Sequence, residues 1–437
     1  MSDLSHRRIL RIAVPVVVSN ATVPILGAVD TGVVGQMGQA APIAAVGAGA
    51  IVITSVYWLF GFLRMGTTGL VAQALGARDA REVVALLSRA LLIAGAAGAV
   101  LIAGQVAIFG AAFAVAPVTD EVEGLSRGYM AIRIWSAPAA IAIYGLTGWL
   151  IAQERTGAVL IVQLAMNGAN ILLDLWFVLG LGWGVPGVAV ATFLAEWSGL
   201  ALAIWFCRDA FAGDAWRDRA AIFDAARLRR MLAVNGDILI RTLLLQATFT
   251  SFLLMGGRFG TVALAANQVL LQFLYVTAHA LDGFAFAVEA LVGKSFGARD
   301  RTRLRRAVLM CAGWGLVTVT LLALAFALLG PWVVDLMATA EPVRAAARTY
   351  LPWMVAAPLV GVAAWMLDGV FIGATRTRDM RNMMVVSFLA YLLALAAFVP
   401  SFGNHGLWAA LMVSFVVRGA TLGARYPALE RAALVVP

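Results

Sequence analysis

The chain has 437 residues, of which 62% are hydrophobic and only 13% are charged, and its mean hydropathy is +0.91. Soluble domains carry about a quarter charged residues, so this composition excludes a soluble enzyme and places the chain in a lipid bilayer. The net charge of +9 does not predict a nucleic-acid partner, because the basic residues fall mainly in the connections between apolar stretches.

The apolar stretches recur along nearly the whole chain, and each is long enough to cross a bilayer as a helix of about 20 residues. The first follows a short basic N-terminus and is too long for a cleavable signal peptide. The predicted spanning segments are residues 9–35, 43–73, 83–108, 128–153, 158–180, 186–207, 231–257, 262–294, 304–329, 350–374, 382–402 and 405–424. These twelve segments predict an all-α membrane protein.

Basic residues mark one side of the predicted membrane. About two dozen of the 32 Lys and Arg lie at the termini and in alternate connections, and the opposite connections hold few. The positive-inside rule therefore predicts a multi-pass membrane protein with both termini in the cytoplasm.

The longest charged stretch, residues 209–230, separates six predicted helices from six. It predicts a cytoplasmic linker between an N-lobe, residues 1–208, and a C-lobe, residues 231–437. Parallel six-helix repeats are a transporter architecture in which the substrate path runs between the lobes and access alternates by rocking.

Two short motifs indicate that the halves are related. Gly76-Ala77-Arg78-Asp79 recurs 221 residues later as Gly297-Ala298-Arg299-Asp300, and Ala137-Pro138 matches Ala357-Pro358 at nearly the same offset. Both Gly-Ala-Arg-Asp motifs follow the second long helix of their half. They fit either a helix C-cap glycine followed by charged interfacial residues or a gating element, and we favour the C-cap.

Charged side chains inside a spanning segment cost about 2.5–3.5 kcal/mol, so each needs a partner or a function. Asp237 and Arg241 are one helical turn apart and predict a structural ion pair. The remaining intramembrane charges are Asp30, Arg64, Asp174, Glu196, Asp282, Glu289, Asp368 and Arg418.

Asp30 and Asp174 differ from the others because no basic residue lies within one turn of either. Asn170 shares a helix face with Asp174, and Thr192 adds a hydroxyl from the next helix. These oxygen ligands suit Na⁺, and two nearby buried carboxylates equally suit a transferable proton. The alternative is that the same groups only hydrogen-bond helices together. Pro15, in the helix of Asp30, predicts a bend that is either a switch or a static kink.

At these positions the sequence resembles multidrug and toxic compound extrusion (MATE) proteins, in the branch typified by DNA-damage-inducible protein F. The matching segments, in order along essentially the whole chain, are Val23–Thr31, Phe62–Leu70, Ala280–Ala290, Leu367–Arg376 and Asn404–Trp408.

The resemblance implies two six-helix bundles around a central cavity and cation-coupled (H⁺ or Na⁺) efflux of amphipathic, often cationic compounds. It also assigns Asp30, Asn170, Asp174 and Thr192 to a cation-coupling site in the N-lobe, and Pro15 to the bend of the first helix. No other cofactor is implied, and we expect a monomer.

The second lobe departs from the other large branch of the family, which has an acidic residue where this chain has Arg241-Thr242. A cation site of that type is therefore not expected in the C-lobe. Arg64, Arg241, Asp282, Glu289 and Asp368 either line the cavity or form a charge network.

Two other functions fit the sequence less well. A flippase for lipid-linked precursors would need a strongly basic cavity, whereas few intramembrane residues here are basic. A membrane enzyme is not expected, because none of the three histidines has a metal-ligand spacing.

Overall fold

The computed structural model of the chain describes residues 4–36, 40–115 and 118–434, without the side chains of residues 23–28, 30 and 31. The described part is helical and contains no β-strand. Its main helices are α1 His6–Gly35, α2 Ala40–Gly76, α3 Ala80–Ala103, α4 Gln105–Val115, α5 Asp120–Ala152, α6 Thr156–Gly180, α7 Gly184–Phe206, α8 Ala225–Gly257, α9 Thr261–Gly297, α10 Arg301–Met337, α11 Glu341–Gly373 and α12 Thr377–Ala432.

Ten of these helices, α2, α3 and α5 to α12, are long and apolar enough to cross a membrane. The third predicted segment, 83–108, is interrupted at Gly104, where α3 ends and α4 begins. The prediction of an all-α membrane protein is confirmed.

The long helix α12 consists of two helices joined at Gly403, whose φ of 54° and ψ of −129° are not helical. The Ser387 hydroxyl donates to the Ser414 carbonyl at 2.7 Å, so the two halves pack side by side as a hairpin. The predicted segments 382–402 and 405–424 end and begin on either side of this break.

A buried amide pair stabilises the same region. The Asn267 and Asn404 side chains exchange hydrogen bonds of 2.7 and 2.9 Å, and Trp408 Nε1 donates to Asn267 Oδ1 at 3.0 Å. All three side chains are buried, so these bonds replace the hydrogen bonds to water that the side chains cannot make. The network ties α9 to the second half of α12.

Contacts divide the chain into two compact units. The C-unit contains the chain up to Val17, the segment Ala72–Arg78, and everything from Arg230 onward; the N-unit contains Val18–Val71 and Asp79–Arg229. Helix α1 therefore contributes its first part to the C-unit and the rest to the N-unit. The lobe boundaries predicted at residues 208 and 231 stay a prediction.

The backbone supports the internal duplication. Among the described residues, four other than glycine have positive φ, and they form two pairs that are each 221 positions apart: Arg78 with Arg299, at 60° and 56°, and Glu154 with Thr375, at 65° and 49°. Such residues seldom adopt this conformation.

The aspartates after the first pair cap the following helices. Asp79 accepts from the backbone N–H of Glu82 at 3.0 Å, and Asp300 accepts from that of Arg303 at 2.9 Å. These bonds satisfy amide groups that the first turn of a helix leaves without a partner. The motifs therefore do cap helices, but the predicted C-cap glycine is wrong: the caps are the aspartates that precede the next helix, and the left-handed residue after the preceding helix is Arg78 or Arg299.

Within the C-unit, the end of α2 crosses the end of α9 through two glycines. A Cβ atom on Gly76 would lie 2.1 Å from the Lys294 carbonyl oxygen, and one on Gly297 would lie 2.0 Å from the Gln73 carbonyl oxygen. Gln73 and Lys294 are themselves 221 positions apart and so are equivalent residues of the two repeats. The glycine of each repeat therefore contacts the equivalent residue of the other repeat. Only glycine permits this backbone approach.

In the N-unit, the predicted linker is ordered and packs on α3. Arg89 is 2% exposed, donates to the carbonyls of Ala221 and Ile222 at 2.5 and 2.8 Å, and pairs with Glu82 at 2.7 Å. The backbone N–H of Ala221 donates to Asp218 and lowers the pKa of that carboxyl below its usual value. A buried guanidinium thus holds the linker to the bundle.

Candidate functional site

Helix α6 carries a polar face in the N-unit. Gln163, Asn167, Asn170 and Asp174 are spaced four, three and four residues apart, which places them on one side of the helix. Asn167, Asn170 and Asp174 are 5%, 1% and 0% exposed. The apolar residues that separate them leave the helix hydrophobic enough to span a membrane, so the polar face lies inside the bundle.

The Asn170 amide is oriented by α7. Its Nδ2 donates to Thr192 Oγ1 at 3.1 Å, and that hydroxyl donates to the Val188 carbonyl at 3.0 Å. Because the amide nitrogen is used in this way, Oδ1 points elsewhere; it is buried and accepts no hydrogen bond from any described residue. Buried polar oxygens normally have a partner, so Asn170 Oδ1 can accept a cation or a hydrogen bond.

Asp174 lies one turn after Asn170 on the same face and is fully buried. A carboxylate removed from water is costly unless a cation or a proton balances its charge. Carboxylate, amide and hydroxyl oxygens are hard ligands, so Asp174, Asn170 and Thr192 fit an alkali cation and fit a transferable proton equally well. Asp30, the other predicted carboxylate, lies in α1, and its side chain is outside the described residues.

A second polar connection, which sequence reasoning missed, joins α6 to α1. Asn167 Nδ2 donates to Thr22 Oγ1 at 2.9 Å, and Gln163 Nε2 donates to Asn167 Oδ1 at 2.9 Å. Thr22 precedes Asp30 by about two helical turns. The four-residue spacing of Gln163 and Asn167 was a visible signal for a polar face that continues beyond Asn170.

The helix changes its winding directly after Asp174. Leu175–Gly180 forms a π-helical turn, in which the Leu181 N–H donates to the Trp176 carbonyl at 2.9 Å. Such turns are rare and occur frequently at functional sites. Here the wider turn follows the buried carboxylate.

Glu196, another intramembrane acid, is paired. Arg133 donates to both of its carboxylate oxygens, at 2.6 and 3.1 Å, and to Ser136 Oγ at 3.0 Å. The Tyr57 hydroxyl donates to the Arg133 carbonyl at 2.7 Å. This bidentate pair balances its own charge and connects α5 to α7, which makes it a structural element of the N-unit.

In the C-unit, Arg241, Asp368 and Arg418 are all buried. Arg241 donates to Asp368 Oδ2, and Arg418 Nε lies 3.9 Å from the same oxygen. The predicted pair between Asp237 and Arg241 is wrong, because Asp237 pairs with Arg381 at 2.7 Å. Two guanidiniums therefore share the Asp368 carboxylate.

The other predicted residues occupy different environments. Arg64 is buried in the N-unit, whereas Glu289 is buried in the C-unit at 2% exposure. Asp282, also in the C-unit, is partly exposed, and its Oδ2 lies 3.8 Å from His279 Nδ1. Pro15 lies in α1 two residues before the division between the units at Val17.

Comparison with known proteins identifies the family. The family model described as MatE matches residues 15–176 and 238–397, one stretch in each half of the chain. The chain belongs to the MatE family. This MatE protein is 38% identical to DNA damage-inducible protein F of Escherichia coli (strain K12) over 96% of the chain and 92% of the relative. It is 27% identical to the probable multidrug resistance protein NorM of Bradyrhizobium diazoefficiens, over 97% and 93% of the two chains.

The fold of this MatE protein matches solved transporters. The Vibrio cholerae MATE transporter VcmN in its bent form superposes with a TM-score of 0.88 at 19% identity, covering 98% of this chain and 97% of that one. A MOP superfamily transporter from Pyrococcus furiosus gives a TM-score of 0.88 at 18% identity, with the same coverage. The family consists of membrane transporters of small molecules, so this MatE protein is a transporter and not an enzyme.

Proposed function

We propose that this MatE protein is a secondary multidrug efflux transporter that exports amphipathic, often cationic compounds in exchange for H⁺ or Na⁺. It works by alternating access in a bacterial inner membrane, as a monomer with both termini in the cytoplasm. The relatives described as probable multidrug resistance proteins support efflux as the direction of transport.

The buried oxygens on α6 carry the proposal for coupling. Asp174 is fully buried, one turn after Asn170. No described residue donates a hydrogen bond to Asn170 Oδ1, and the bond from the amide nitrogen to Thr192 orients the amide so that this oxygen can bind a ligand. Together with Asp30 these residues form the cation-coupling site. A bound Na⁺ would be held by their oxygens, and a proton would reside on a carboxylate.

Helix α1 is the element through which the site acts. Its first part packs in the C-unit and its remainder in the N-unit, and Pro15 lies just before the division. An interior proline removes one backbone hydrogen bond and lowers the cost of bending. Neutralising Asp30 and Asp174 changes the charge beside the second part of α1, and α1 then bends near Pro15.

The test is a transport assay in proteoliposomes that separates the two driving forces. A pH gradient and a Na⁺ gradient are imposed in turn while a fluorescent cationic dye is followed. We expect one gradient to drive transport by the wild type and Asp174→Asn to abolish it, because the amide cannot release a proton or balance a cation. Asp335→Asn, which removes a partly exposed carboxylate that pairs with Arg348, is the matched control and should transport normally.

Asn170→Leu distinguishes coupling to Na⁺ from coupling to H⁺. It removes the amide oxygen but leaves both carboxylates, so transport should be lost if Na⁺ drives the wild type and largely kept if H⁺ drives it. Dye movement driven by neither gradient in the wild type, or normal coupling by well-folded Asp174→Asn, would contradict the proposal.

A further inference from the structure

The C-unit has a groove along an exposed face of α10. Its first part is a hollow of about 630 Å³ beside the start of α10, and its second part, of about 470 Å³, reaches the start of α1. Leu309 and Met310 line both parts, so the groove is continuous.

One end of the groove is basic. Three arginines line it: Arg301, Arg305 and Arg306. Glu430 is the carboxylate that pairs with two of them, at 3.1 Å from Arg301 and 4.0 Å from Arg305, and the Arg305 side chain is still 67% exposed. Three guanidiniums and one carboxylate leave a surplus of positive charge at this end of the groove.

The other end is apolar and open. Leu309 and Val317 are 63% and 48% exposed, and a Cβ atom added to Gly313 would meet nothing within 4 Å. Trp314 forms one wall, and its Nε1 donates to His6 Nδ1 at 3.1 Å, which fixes the indole. From Leu309 to Val317 this apolar slot runs for about 12 Å along a helix that is long enough to span a membrane.

We propose that this groove binds an anionic phospholipid, with the phosphate on Arg305 and Arg306 and an acyl chain in the slot over Gly313. Arginines just outside an apolar span meet the headgroups of acidic lipids, and a guanidinium binds a phosphate through two hydrogen bonds. The occupant must be both anionic and apolar, because the two ends of the groove are continuous. The bilayer supplies such a molecule at this depth.

The test measures lipid binding by native mass spectrometry of the purified full-length protein in detergent, titrated with phosphatidylglycerol or phosphatidylcholine. Phosphatidylglycerol should bind more tightly. The double variant Arg305→Gln/Arg306→Gln should weaken its binding about 25-fold, since each basic residue near the headgroups contributes about fivefold. The control, Arg258→Gln/Arg378→Gln, removes the same charge from exposed sites that do not line the groove and should bind as the wild type does.

Gly313→Leu tests the apolar part, because the open space accepts the larger side chain without disturbing the fold. It should weaken phosphatidylglycerol binding although every arginine is present. Equal binding of both lipids, an equal loss in the control variant, unchanged binding by Gly313→Leu, or displacement of the lipid by inorganic phosphate at similar concentration would overturn the proposal. None of these results depends on transport, so they leave the proposed efflux function untouched.

Discussion

Replacing Gly297 by alanine tests the crossing of the two repeats. The new methyl carbon would lie 2.0 Å from the Gln73 carbonyl oxygen, whereas a comfortable carbon–oxygen contact is about 3.3 Å. The two backbones must therefore separate by about 1.3 Å, because a main-chain carbonyl cannot rotate away as a side chain does. Overpacking costs about 1–3 kcal/mol, and we expect the upper part of this range since no side chain can adjust.

The control is Gly236→Ala, which adds the same methyl group at a helical position where nothing lies within 4 Å. Alanine favours a helix over glycine by roughly 0.8–1 kcal/mol, so the control should melt at or above the wild-type temperature and Gly297→Ala below it. Melting is followed by intrinsic tryptophan fluorescence in a mild detergent. Equal melting temperatures of the two variants would show that the crossing accepts a methyl group at Gly297.

Gly76→Ala extends the test, because it enters the same crossing from the other side. Once Gly297→Ala has separated the backbones, adding Gly76→Ala should cost less than it does alone, and the double variant should be more stable than additivity predicts. Strict additivity would show that the two glycines act at independent contacts.

Two further predictions concern buried polar networks. Arg133→Gln or Glu196→Gln alone should destabilise the protein by about 3–5 kcal/mol, because each leaves a buried charge unbalanced. Combining the two substitutions should restore much of the melting temperature. A double variant that melts no higher than the single variants would contradict a charge-balance role. Asn267→Ala removes the partner of both Asn404 and Trp408 and should cost about 1–3 kcal/mol. A wild-type melting temperature for Asn267→Ala would show that the network does not stabilise the hairpin of α12.

The membrane architecture followed from sequence because it depends on local properties. Apolar length locates spanning helices, and the break at Gly403 falls in the short gap that the pattern leaves between 402 and 405. Capping at the Gly-Ala-Arg-Asp motifs was equally local, although the capping residue is the aspartate before the next helix and not the predicted C-cap glycine.

Partners distant in sequence could not be predicted in this way. Arg133 and Glu196 are 63 residues apart, and a pattern within one helix does not indicate which residue faces which across a bundle. The local rule also failed for Asp237, because Arg381, from another helix, reaches its carboxylate and leaves Arg241 to Asp368. One-turn proximity is worth only a few tenths of a kcal/mol, so tertiary packing easily overrides it.

The paired turns at Glu154 and Thr375 share a backbone conformation but differ in side chain. Both hold the same left-handed backbone, although neither residue is glycine. The Thr375 hydroxyl accepts hydrogen bonds from Gln73 at 3.0 Å and Arg230 at 3.3 Å, and a glutamate at that position would present a carboxylate instead. The backbone conformation of the turn is thus common to both repeats, while its side chain can differ and form different contacts. An ancient duplication can in this way yield halves that are alike in path and unlike in chemistry.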